Sequence, residues 1–201
     1  MIRWTIAFAL LGVLATAGQA LAKDTLQTAP QASALSLTVP DEWIVKQPAA
    51  SEHRITIDRQ TLSDLAKKST STAPSPVVTF VREANATNET GFFTITISKR
   101  FDVTLFDLVA GHTMIQMQMN KTLRIEKATM PRWRSVCGRQ ASFATGSYMA
   151  KDGAKQMTTM YIPWDKKYML YVTAIGPESA SSLTHRQIEA MINSIELAGD
   201  C

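Results

Sequence analysis

The stretch CGRQASFATGSYMAKDGAKQMTTMYIPWDKKYMLYVTAI, residues 137–175, decides the fold of this chain. Residues 140–149, 156–162 and 168–175 are rich in aromatic, β-branched and Met side chains, the composition that suits a pleated and partly buried surface. Lys-Asp-Gly and Trp-Asp-Lys-Lys separate them, and such short links predict three antiparallel strands in a meander. Gly176-Pro177-Glu178 ends the run, and an apolar stripe at Leu183, Ile188, Met191, Ile192 and Ile195 predicts a helix lying back over that sheet.

Residues 1–22 are set apart from the fold. Arg3 gives a positive start, residues 4–17 are almost wholly apolar, and Ala20-Leu21-Ala22 is an A-x-A cleavage site, so a mature chain beginning at Lys23 is expected. The apolar run is shorter than the roughly 20 residues a membrane-spanning helix requires, so no stable membrane insertion is expected after cleavage. The mature chain of 179 residues suits one domain. Its formal charge falls from +4 to +3 with the loss of Arg3, and outside the cytoplasm nucleic acid is not an expected partner. Export, periplasmic or secreted, places Cys137 and Cys201 in an oxidising compartment, where a pair without a third competitor joins. That bond would tie the last residue to the entry of the meander, worth about 4 kcal/mol by loop entropy.

Residues 23–34 are small and polar and predict a flexible lead, with the folded domain running over 35–201. Leu35, Leu37 and Val39 alternate with Ser36 and Thr38 as a strand that runs into Pro40-Asp41-Glu42-Trp43, and a second strand is expected over 54–58. Thr61 and Asp64 have capping-box spacing for a short helix, and residues 69–76 predict a surface loop. Residues 77–82 and 92–99 are strands joined by a polar tip. The best internal helix is expected over 104–120, where Leu105, Leu108, Val109, His112, Ile115 and Met119 share a side; His112 on that stripe predicts a structural histidine. Leu123, Ile125 and Ala128 alternate as a further strand.

Pro131-Arg132-Trp133-Arg134-Ser135 predicts a stiff turn that interleaves cations with a large aromatic, the residue types that hold an anionic group or a sugar face. Trp164, Lys166 and Lys167 make a similar patch in a later loop. Arg132, Trp133, Arg134, Trp164, Lys166 and Lys167 are therefore the candidate binding residues. No G-x-S-x-G, H-E-x-x-H or Gly-rich phosphate loop occurs. His53, His112 and His185 fall in separate elements without carboxylates at ligand spacing, so no catalytic residue, metal or cofactor is expected.

The order of elements, from Val39-Pro40-Asp41-Glu42-Trp43 through a hairpin, the helix from Thr104 and the meander to a terminal helix closing with Asn193-Ser194-Ile195, resembles the PsbP-like fold. That fold is shared by photosystem accessory proteins and by bacterial envelope proteins similar to DcrB. The resemblance implies an α+β domain, an antiparallel β-sheet with helices packed on both faces, that acts as an accessory or binding module with no shared catalytic residues. The expected function is an exported, non-enzymatic domain that recognises a protein or envelope component. The competing expectation is a small-ligand binder or hydrolase with a pocket between the sheet and the helix from Thr104.

Overall fold

A computed structural model describes residues 33–47, 54–70, 74–84, 89–99 and 125–197. In chain order these form β1 (Ser33–Thr38), β2 (Ile44–Gln47), β3 (Arg54–Asp58), α1 (Arg59–Lys68), β4 (Ser75–Arg82), β5 (Gly91–Lys99), β6 (Ile125–Ala128), β7 (Arg132–Val136), β8 (Arg139–Ala150), β9 (Gly153–Pro163), β10 (Tyr168–Pro177), α2 (Leu183–Asn193) and β11 (Glu196–Leu197). The larger sheet runs β2-β4-β5-β10-β9-β8-β6, with β7 also paired to β8, and the smaller sheet runs β11-β1-β3. Every pairing is antiparallel.

The meander forms as the sequence predicts. Ala150 pairs with Gly153 across a two-residue turn, and Gly153 takes φ 115°, a conformation that favours glycine. At the next turn Asp165 Oδ1 accepts hydrogen bonds from the backbone N–H groups of Lys167 at 2.6 Å and Tyr168 at 2.7 Å, which fixes the reversal without a glycine.

Strand alternation sends Phe80, Phe93, Ile95, Ile97, Met160, Ile162, Leu170 and Val172 to one face of the larger sheet, each at most 1 % exposed. Leu62 and Ala66 of α1, Ile188, Met191 and Ile192 of α2, and Leu35, Leu37, Ile55 and Ile57 of the smaller sheet complete the same core. Trp43 joins them and donates its Nε1–H to Gln187 Oε1 at 3.0 Å, so the Pro40–Trp43 turn is pinned to α2. The chain is thus α+β with a dominant antiparallel sheet, and both described helices serve one core. The segment expected as a helix over 104–120 lies outside the described residues, as do residues 1–22, His53, His112 and Cys201.

Several expectations are corrected. The lead does not extend to residue 34: β1 already includes Ser33 and Ala34, and Ala34 is 1 % exposed because it belongs to the core. α1 starts before Thr61. Asp58 is its N-cap, accepting from Thr61 N–H at 2.7 Å and Thr61 Oγ1–H at 2.6 Å, and a carboxylate at that position outcompetes the later threonine. Arg132–Val136 is a strand, not a stiff turn, because a two-residue reversal at Cys137-Gly138, with φ 47° and 73°, folds it back on β8. The short strands β2 and β11 carry no periodicity long enough to be read from sequence.

Candidate functional site

The two patches singled out by sequence lie in the same half of the larger sheet. Trp133 pairs with Ser142, Ser142 with Tyr161 and Tyr161 with Tyr171, so the four form one row on a single face. The rings of Tyr161 and Tyr171 meet edge to face at 4.5 Å. Burial raises the Tyr161 hydroxyl far above its ordinary value, aided by Tyr171, and raises Tyr171 as well. At the end of that row Trp133 remains 43 % exposed. Trp164, three residues beyond Tyr161, tilts against Tyr168 at 6.2 Å and packs on the core. Arg139 holds the loop in place, its Nη1 donating to Pro163 O at 3.0 Å and to Trp164 O.

The six candidates therefore divide. Trp133, Arg132, Lys166 and Lys167 are exposed. Arg134 is engaged: its Nη2 donates to Asn193 Oδ1 at the end of α2, and its guanidinium carbon lies 6.0 Å over the Phe143 ring. Trp164 is part of the fold's packing. Arg139, which sequence reasoning passed over, ties the start of β8 to the loop that carries Trp164; the signal for it is its position directly after the Cys137-Gly138 reversal.

A second cluster occupies the opposite end of the sheet, about 23 Å away by strand rise between Tyr168 and Ile175. Arg82, at the end of β4, has a side chain only 1 % exposed. Its Nη1 donates to Thr184 Oγ1 and to Glu89 O at 3.3 Å, and lies 3.7 Å from Glu89 Oε2. Nε and Nη2 have no hydrogen-bond partner among the described residues. Glu89 Oε2 accepts from Thr184 N–H at 3.2 Å and Thr184 Oγ1–H at 2.9 Å, in the first turn of α2. Burial works to raise the Glu89 carboxyl, but the bonds from Thr184 and Ser182 and the charge of Arg82 prevail and hold it below its ordinary value. Beside this, buried Lys155 donates to Asp152 Oδ2 at 2.7 Å and Thr90 Oγ1 at 3.1 Å, and its bond lowers Asp152. Val81, Arg82, Thr90, Phe92 and Ile175 line a cleft here of about 420 Å³.

Sequence reasoning missed this cluster because its members are joined only by the fold: Arg82 and Thr184 lie 102 residues apart. His185 is used structurally, its Nδ1 3.1 Å from Pro177 O. Among the described residues no three His, Cys, Asp or Glu side chains converge as a metal site, and no helix is long and apolar enough to cross a membrane.

No family model matches the chain, and no curated protein matches its sequence. Among solved structures it is similar to LpqN of Mycobacterium tuberculosis, a protein involved in cell envelope biogenesis, with a TM-score of 0.51 and 14 % identity over 85 % of this chain and 87 % of that one. A weaker likeness, TM-score 0.46 and 12 % identity over 76 % of this chain and 95 % of the other, is to PA94 of Pseudomonas aeruginosa, a protein of unknown function and putative regulator. The LpqN likeness shows a common fold.

Proposed function

We propose that this chain is an exported, non-enzymatic binding domain of the bacterial envelope, PsbP-like and similar to DcrB, that recognises a protein or envelope component along β7. One observation carries the reading. Trp133 stands 43 % exposed beside exposed Arg132 on a strand whose only partner among the described residues is β8. A free strand edge offers backbone N–H and C=O groups to an incoming segment, while Trp and Arg are the side chains that most often dominate interface energies. Lys166 and Lys167 add positive charge nearby, which makes association weaken with salt. The fold shared with an envelope-biogenesis protein supports the compartment by analogy.

The test is capture of the partner from envelope extract with the mature domain, followed by Trp133→Ala combined with Arg132→Ala. Arg134 is left intact because it braces α2. Loss of about 2 kcal/mol or more of binding is expected if Trp133 is an anchor. Unchanged affinity in a folded double variant removes β7 from the reading. Export is tested separately by intact mass, which is expected to show a chain starting at Lys23; a mass retaining residues 1–22 overturns that part.

A further inference from the structure

The turns at the two ends of β8 fix which backbone groups of β7 point outward. Residues flanking a two-residue turn exchange hydrogen bonds, and directly opposed pairs then alternate between bonded and non-bonded along the ladder. Counted from the turn between Ala150 and Gly153, Ser142 is a bonded partner of Tyr161, so its N–H and C=O point at β9. Counted from the Cys137-Gly138 turn, Val136, Arg134 and Arg132 are the bonded partners of Arg139, Ala141 and Phe143. The two counts agree: Trp133 and Ser135 turn their backbone groups away from β8, to the outer edge. Two residues before Trp133, Pro131 has no N–H, so the run of offered donors stops there.

The side chains of this edge are sorted by face. Arg132 and Arg134 stand with Phe143 and Ala141 on one face, and Trp133 stands with Ser142, Tyr161 and Tyr171 on the other. Arg132, Trp133 and Ser135 are exposed, and Arg134, though bonded to Asn193, keeps its charge beside them. Residues 132–139 hold three arginines and no acid. Arg139 ties them to the 164–167 loop, where Lys166 and Lys167 are exposed and Asp165 spends its Oδ1 on the backbone of Lys167 and Tyr168. A residue paired across the edge shares the face of the one it opposes, so an incoming segment meets a cation at Arg132, an aromatic ring at Trp133 and a cation again at Arg134. A second copy of β7 does not suit this pattern. Antiparallel pairing of Trp133 with the copy's Trp133 or Ser135 would set arginine against arginine.

We propose that the partner taken at β7 is a protein that contributes an extended acidic segment, adding as a strand through the Trp133 and Ser135 backbone, with an apolar side chain opposite Trp133 and carboxylates opposite Arg132 and Arg134. This rests on the reading of β7 as the binding edge and names the kind of partner that edge accepts.

The probe is the end-blocked peptide Glu-Phe-Glu-Val-Glu, titrated into the protein at constant ionic strength while backbone amide resonances are followed by NMR. Saturable shifts are expected at the Trp133 and Ser135 N–H groups, larger than at Arg132 and Arg134, whose N–H groups are already bonded to β8. The peptide Lys-Phe-Lys-Val-Lys is expected to bind about tenfold more weakly, as is the acidic peptide with methylated nitrogens on its Phe and Val, which cannot donate to the edge. Arg132→Glu, at an exposed position, is expected to narrow the gap between the acidic and basic peptides about fivefold. Silent Trp133 and Ser135 amides, equal binding of the basic or the methylated peptide, or an unaltered gap in Arg132→Glu overturns the proposal. Failure of the underlying reading looks different. The Trp133→Ala, Arg132→Ala variant would then keep the captured partner, whereas its loss together with silent amides rejects strand addition and leaves β7 as the contact surface.

Discussion

Gly91 and Gly176 mark where the terminal helix and the Pro40–Trp43 turn press onto the sheet. A Cβ on Gly91 would lie 2.6 Å from the Trp43 ring and 2.9 Å from Thr184 Cγ2, whereas one on Gly176 would meet chiefly the tip of Ile188 at 2.6 Å. The Trp43 ring is anchored by its bond to Gln187, while the Ile188 tip can turn aside. Gly91→Ala should therefore destabilise by about 1–3 kcal/mol, and more than Gly176→Ala, as read from urea midpoints. Glu89 gives a pH signature. Its folded carboxyl titrates below its unfolded value, so its contribution is present above roughly pH 4.3 and is lost as pH falls through the folded value. Unfolding across a pH series should show the gap between the protein and Glu89→Gln closing in acid; a constant gap would mean the carboxylate charge is not what matters.

α2 shows how an element can depend on residues outside itself. Its first turn holds no acid and its last turn no base. The charges that favour helix ends come instead from Glu89, on the segment leading into β5, and from Arg134, on β7. Arg134→Ala should cost about 0.5–2 kcal/mol through lost hydrogen bonding and ring contact, measured by thermal or urea unfolding, and an unaltered midpoint would show that α2 stands without it. The apolar stripe made α2 legible in sequence, as composition and turn residues did the meander. β7 was legible only as a cluster of side chains, since nothing in Arg-Trp-Arg-Ser-Val alternates in hydrophobicity. Its strand character comes from Cys137, a non-glycine residue at positive φ, where Asn or Gly would have announced the turn. The Arg82 cluster was illegible for a related reason: its polar groups meet across sequence separations that no local spacing encodes.

At the scale of the whole molecule, the two ends of the described chain close on one another. Leu35 pairs with Leu197 and Ser36 with Glu196, and Arg54 bonds to Glu196 across the same small sheet. Cys137 belongs to this closure, because Leu197 N–H donates to its Sγ at 3.3 Å, four residues before Cys201 in sequence. The proposed Cys137–Cys201 bond would lock it. Titration of the purified, unreduced protein should find no free thiol, and two would refute the bond.

The pairing of β1 with β11 also fixes an order of events. A ribosome releases Ser36 160 residues before its partner Glu196 exists, so Leu35 and Leu37 cannot complete their surroundings while synthesis continues. The small sheet therefore closes only after Glu196 and Leu197 have emerged, a long-range contact of the kind that forms slowly.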